Sequence, residues 1–151
     1  MLEIYNHYVE HTHITFDTEP ISLDARRDWF DSFAEAGPHR LFVAESKGEV
    51  QGYASSGPFR TKPAYLRSVE TSIYLAPEQG GAGTGRALYT HLFEALEREV
   101  SLHRAYGGVA LPNEASVALH QRLGFKRIGT WREVGFKFGR YWDVAWFERA
   151  L

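Results

Sequence analysis

The chain has 151 residues, 44% hydrophobic and 15% aromatic, with a net charge near -2 and a pI near 6.4. That length makes one domain, residues 1–151, able to bury roughly two thirds of its unfolded surface, and the absence of cysteine excludes disulfides and thiolate chemistry and suits the cytoplasm. The charge balance gives no footing for nucleic acid or an anionic membrane; no signal peptide is visible, and no apolar run approaches the roughly 20 residues of a membrane span.

In chain order, Leu2, Ile4, Tyr5, Tyr8 and Val9 fall at helical spacing, which predicts a helix at the start. On it His7, Glu10 and His11 match the H-x-x-E-H arrangement of a zinc-peptidase helix. No third ligand accompanies them, so the expectation is a solvated polar face and no metal. Thr12 to Pro20 reads as irregular. Ser22 is placed to cap a second helix, with Trp29, Phe30 and Phe33 as its buried face and Gly37-Pro38 as its stop. Leu41 to Ala44 is too short an apolar run for a helix, and Lys47-Gly48 turns it into Val50 to Ala54, a β-hairpin. Gly57-Pro58 ends that strand before the polar segment from Phe59 to Tyr65.

Val69 to Leu75 follows as a strand closed by Pro77, then Gly80-Gly81-Ala82-Gly83-Thr84-Gly85-Arg86, then a helix whose apolar positions Leu88, Leu92, Phe93 and Leu96 share one stripe. Glycines directly before a helix leave backbone N–H groups uncovered at the positive end of its dipole, an anion site most naturally used by phosphate. A P-loop would end in Gly-Lys-Ser/Thr, and a dinucleotide fold would space its glycines as G-x-G-x-x-G; neither pattern is present. Beyond the helix, Ala105 to Leu111 reads as a strand. Asn113 caps a further helix that Gly124 stops, and two strands follow around Phe125 to Val134 and Phe138 to Trp146. The order helix, helix, three strands, helix, strand, helix, two strands predicts a single α/β domain with a mixed central sheet flanked by helices.

Two segments resemble one superfamily. Gly83-Thr84-Gly85 fills the end of the pyrophosphate loop of the GNAT acyl-CoA N-acyltransferases, Gln/Arg-x-x-Gly-x-Gly/Ala, with Gly80 standing where Gln or Arg is usual. Asn113 to Phe125 resembles the Asn-x-x-Ser/Ala…Leu-Tyr-x-x-x-Gly-Phe segment of the same superfamily, with His120 in place of the tyrosine. His120 together with Asn6-His7-Tyr8, Thr15 to Pro20, Val69-Glu70-Thr71-Ser72, Leu88 to Leu92 and Tyr141 to Val144 is similar to the phosphinothricin and methionine-sulfoximine N-acetyltransferase branch. The resemblance covers nearly the whole chain. It departs at the front: family members carry a strand before the opening helix, and this chain begins at that helix, so the sheet is expected to lack its usual first edge strand. Unpaired backbone there favours dimerisation.

The resemblance implies acetyl-CoA as co-substrate and no metal. It assigns Gly81, Ala82, Gly83, Thr84, Gly85 and Arg86 to the pyrophosphate, and Ile73, Tyr74, Leu75, Asn113 and Ser116 to the rest of the cofactor, with a backbone N–H of the Ile73–Leu75 strand as oxyanion donor. An amino-acid amine is mostly ammonium at neutral pH, and the role assigned to the glutamate matching Glu70 is general base. The bland alternative is a strand carboxylate facing solvent or paired with Arg67. His120 donates to the departing thiolate or positions the pantetheine; the alternative is a structural histidine hydrogen-bonded inside the helix packing. An amino-acid acceptor needs its carboxylate paired, for which Arg60 and Lys62 stand upstream of Glu70, with Phe16 and Tyr65 as walls of the side-chain pocket. The function so implied is acetylation of the α-amine of a small amino acid or analogue by a cytoplasmic homodimer. The alternatives are a non-catalytic acyl-CoA sensor and a protein N-terminal acetyltransferase; polyamines are disfavoured because no acidic cluster lies near the cleft.

Overall fold

A computed structural model describes residues 1–77 and 83–151. Helices α1 (Leu2–His11) and α2 (Leu23–Asp31) precede strands β1 (Leu41–Ser46) and β2 (Glu49–Pro58). A 3-10 turn (Pro63–Tyr65) leads into β3 (Ser68–Leu75). There follow α3 (Thr84–Leu96), β4 (Arg104–Ala110), α4 (Glu114–Arg122), β5 (Lys126–Lys137) and β6 (Arg140–Ala150). The strands form one mixed sheet in the order β1-β2-β3-β4-β6-β5, in which only β3 and β4 run parallel. Among the described residues no strand precedes α1, and β1 is bonded on one side only, to β2. Among the described residues no helix is long and apolar enough to cross a membrane.

The core is the stripe expected on α3. Leu88, Leu92, Phe93 and Leu96 pack onto Ala54, Val69, Ala105, Val109, Ala145 and Phe147 of the sheet. The caps read from sequence are in place: Ser22 Oγ accepts from Ala25 N at 3.3 Å, Asn113 Oδ1 accepts from Ser116 N at 3.1 Å, and Gly124 follows α4 with φ +82°.

Two local expectations are corrected. Helix α2 stops at Asp31, well before Gly37, where Ser32 Oγ donates to Trp29 O at 2.6 Å and competes for a helix carbonyl. Its face also differs. Phe30 is 49% exposed, while the buried residue is Arg26, whose guanidinium lies 3.5 Å over the Trp29 ring and donates to Tyr53 Oη at 2.7 Å. Flat stacking and a long apolar stem let an arginine occupy a position that periodicity assigns to hydrocarbon. The last hairpin turns at Phe138-Gly139, not between Val134 and Phe138. Its strand runs through Gly135 because the extra residues bulge out between Trp131 and Gly135. Glu133, at φ +53°, is held in that bulge by its N–H donating to Asp143 Oδ1 at 2.8 Å.

Candidate active site

Strands β3 and β4 are paired only at Ser68–Arg104, Val69–Ala105 and Glu70–Tyr106. Past Glu70 they splay, and Thr71 Oγ1 donates across the apex to Tyr106 O at 3.2 Å. The splay opens a cleft of about 590 Å³ between Ile73–Leu75 on one side and Gly108–Ala110 on the other. Along it the backbone groups on that edge of β3 face a gap where a strand would otherwise bond them, which suits a ligand carrying amides. Tyr8 reaches over from α1 and fixes the end of β3, its hydroxyl donating to Leu75 O at 2.8 Å.

The head of α3 forms one end of the cleft. Gly83 is its N-cap at φ 85°, ψ −7°, a left-handed conformation that side chains disfavour. Gly85 is buried in the first turn, and a Cβ there would stand 3.3 Å from Leu75 Cδ1 and 3.5 Å from Leu119 Cδ2. Gly83, Gly85 and Arg86 line the cleft; Thr84 does not. Gly81 and Ala82, also expected at the phosphate, lie outside the described residues.

Helix α4 supplies Asn113, Ser116 and His120 to the opposite wall. His120 is buried, with Nδ1 2.8 Å from Ser116 O. A carbonyl can only accept, so Nδ1 carries the hydrogen and Nε2 is left with its lone pair. Burial pushes the His120 pKa down, against the weaker upward effect of the Ser116 hydrogen bond, so the ring is neutral at pH 7. It sits so close to β4 that a Cβ on Gly107 would be 2.7 Å from Nε2.

Alternation along β3 turns Thr71, Ile73 and Leu75 towards α3 and α4, and Glu70, Ser72 and Tyr74 to the other face of the sheet. Tyr74 borders the cleft, but its ring packs on Tyr5, Tyr8 and Tyr53, and burial pushes its pKa up to about 12. Glu70 is the last paired residue before the splay. Burial raises its pKa, opposed by Arg60, whose Nη1 lies 3.6 Å from Oε2. The ion-pair partner of Glu70 is therefore Arg60 and not Arg67. Arg60 is stacked 4.2 Å over Phe59, and Phe59 lies on Tyr106 at 4.3 Å. Tyr65 packs edge-on to Phe59 at 6.0 Å and Lys62 is exposed. Phe16 lies against Gly135, where an added Cβ would run into its ring. On the His7–Glu10–His11 face, His7 and His11 stack at 4.7 Å, and no group of three or more His, Cys, Asp or Glu among the described residues is placed to hold a metal.

Several residues around the cleft had no sequence signal of their own. Tyr8 and Tyr89 have the spacing of core residues, and Ile14 belongs to an irregular stretch. That stretch is tied to the sheet by the buried Lys137, which donates from Nζ to Thr15 O at 2.8 Å.

A sheet splayed between two parallel strands, with a glycine-headed helix at the mouth, defines a class, and residues 1–146 match the family described as acetyltransferase (GNAT) domain. The chain belongs to this family of N-acetyltransferases, whose co-substrate is acetyl-CoA, and is thus an enzyme and not a non-catalytic sensor. It is similar to the phosphinothricin N-acetyltransferase of Streptomyces coelicolor, 59% identical over 100% of this chain and 89% of that protein. It is also similar to the L-methionine sulfoximine/L-methionine sulfone acetyltransferase of Pseudomonas aeruginosa, 37% identical over 100% of this chain and 87% of that one. Among solved structures, a phosphinothricin acetyltransferase from Sinorhizobium meliloti in complex with acetyl-CoA superposes with a TM-score of 0.92 at 34% identity, covering 99% of this chain and 80% of that chain. The cleft suits this co-substrate on chemical grounds: bare glycine backbone at a helix N-terminus for phosphate, and an unpaired strand edge for the pantetheine amides.

Proposed function

We propose that residues 1–151 form one catalytic domain that acetylates the α-amine of a small amino acid or amino-acid analogue of the phosphinothricin, methionine sulfoximine or methionine sulfone type. The observation that carries this reading is Glu70: a half-buried carboxylate at the apex of the splay, its pKa raised, beside a cation able to hold a carboxylate. Glu70 takes the proton from the acceptor's ammonium, directly or through a water. Arg60 and Lys62 pair with the acceptor carboxylate, and Phe59 and Tyr65 wall its side chain. Phe16, docked against Gly135 of β5, adds to the wall of that side-chain pocket. The bound thioester supplies the acetyl group. Backbone N–H groups of Ile73 to Leu75 donate to the charge developing on its oxygen, and the Gly81–Arg86 segment holds the pyrophosphate. Asn113 and Ser116 hold the pantetheine. With Nδ1–H committed to Ser116 O, His120 offers a lone pair, so it positions the pantetheine by accepting a hydrogen bond; donation to the thiolate would need an imidazolium that burial opposes.

The exposed apolar residues Ile128, Trp131, Val134 and Phe136 on edge strand β5 support a homodimer formed through this edge of the sheet. We place the enzyme in the cytoplasm, with the acetyl-CoA pool. The test is an acetyl-CoA turnover screen with methionine sulfoximine, methionine sulfone, phosphinothricin, common amino acids and short peptides. Fastest turnover is expected among the first three; turnover confined to peptides would favour a protein N-terminus instead.

Two variants probe single contacts. Asn113→Ala should lower stability by about 1 kcal/mol through loss of the cap, and weaken acetyl-CoA binding as well; thermal unfolding and acetyl-CoA titration read the two effects separately. A loss of stability with binding intact would make Asn113 a cap only. Arg60→Met removes the cation that holds the Glu70 pKa down, so the acidic limb of the pH–rate profile should move to higher pH. The KM for an amino-acid acceptor should rise in the same variant.

A further inference from the structure

Four buried polar atoms find no hydrogen-bond partner among the described residues: Arg26 Nε, Tyr89 Oη, His120 Nε2 and Trp146 Nε1. Buried polar groups in folded proteins are almost always paired, so each orphan asks for a water, a ligand or a function. Tyr89 and His120 line the cofactor cleft, and Arg26 is sealed among aromatic rings. Trp146 stands on the face that carries Glu70. It lies on β6 opposite Gly108, and its Cζ2 and Cη2 atoms are 3.4 Å from where a Gly108 Cβ would be. Gly108 itself borders the cleft. The Arg60 guanidinium, paired with Glu70, is 5.7 Å from the Trp146 ring. Phe59 meets the indole edge-on at 6.3 Å and Trp131 packs on it at 4.9 Å.

We propose that Trp146 is a specificity-determining residue of the acceptor site, its indole N–H donating to an oxygen on the acceptor's side chain, of the kind carried by a sulfone, sulfoximine or phosphinate. This rests on the acceptor reading above. An acceptor with its carboxylate at Arg60 and its amine at Glu70 has the aromatic wall of Phe59, Tyr106 and Trp146 beside it. That wall accepts hydrocarbon of many shapes, and the Trp146 N–H, buried in it without a partner among the described residues, selects for oxygen. A site built to hydrogen-bond a substrate group discriminates against the analogue lacking it far more sharply than an apolar pocket discriminates by size.

Methionine and methionine sulfone differ by two oxygens on sulfur and make the test. Wild type should prefer the sulfone. Trp146→Phe should lower the ratio of kcat/KM for the sulfone to that for methionine about 10–100-fold, the scale of one hydrogen bond in a closed site, with the acetyl-CoA KM unmoved. Because phenylalanine also removes volume, 3-benzothienylalanine at position 146, which keeps the shape and replaces N–H by sulfur, should give the same selective loss. Equal losses on both acceptors, or none, would overturn the proposal and leave Trp146 as wall alone. Should wild type turn over neither acceptor, the proposed function fails first. Calorimetric titration of the sulfone into wild type and the benzothienyl variant then decides separately: weaker binding to the variant supports the donor, and equal binding overturns it.

Discussion

Replacing Glu70 by glutamine is expected to lower kcat by about 10²–10⁴, the usual share of a general base, while leaving acetyl-CoA affinity nearly unchanged. Glutamine keeps the size and shape but cannot take the proton. Burial raises the Glu70 pKa above that of an ordinary carboxylate, and Arg60 pulls it part of the way back. The wild-type rate should therefore rise with pH through this raised value, and that acidic limb should vanish in the variant. Raising the pH should partly rescue turnover by deprotonating the amine in solution. Stability should move the other way. A carboxyl whose pKa is raised on folding stabilises the fold below its unfolded pKa, and that contribution is lost as pH rises through the folded value. Glu70→Gln should thus be neutral or stabilising at neutral pH. Steady-state kinetics from pH 6 to 10 (a span roughly centred on an α-amine pKa) with a parallel unfolding series reads both. The same turnover and the same profile in both proteins would make Glu70 structural.

Gly85→Val should raise the acetyl-CoA KM by about 10–100-fold, the equivalent of 1–3 kcal/mol of overpacking at a closed contact. The Cβ alone would come within 3.3 Å of Leu75, 3.5 Å of Leu119 and 3.6 Å of Ile73, which are the two walls of the cleft at its mouth. Gly85 lines the cleft, so branches added there compete with a bound ligand for its space. The backbone at Gly85 is helical, so the substitution adds no backbone strain and any loss of stability is steric alone. Gly83→Val provides the contrast, because φ is +85° and the strain falls on the backbone, costing stability by about 1–2 kcal/mol as well as binding. An unchanged KM for Gly85→Val would remove the head of α3 from the cofactor site.

What the sequence determined by itself was everything governed by near neighbours. The Asn113 cap and Gly124 stop of α4, the Ser22 cap, the Lys47-Gly48 turn and the α3 stripe each depend on residues a few positions apart, whose preferences are local. The order of elements followed from them, and with it the α/β class. The glycines before α3 could be read as an anion site because a helix dipole and uncovered N–H groups need no distant partner. Tertiary structure decided the rest. Periodicity put Phe30 inside and overlooked Arg26, because an arginine stacked on Trp29 and bonded to Tyr53 is made tolerable only by rings that other elements bring. The bulge at Glu133 is held by Asp143 from the facing strand, so no local signal in β5 could place the turn at Phe138-Gly139. Glu70 was visible as a carboxylate in a strand. Its meaning came from the splay of β3 from β4 directly after it, from Arg60 folding back to within 3.6 Å, and from the burial that shifts its proton affinity. Trp146 is the extreme case. As a sequence position it is one aromatic among many, and only packing leaves its N–H buried without a partner beside that pair, since solvent exclusion is a property of the assembled surface and not of any segment in it.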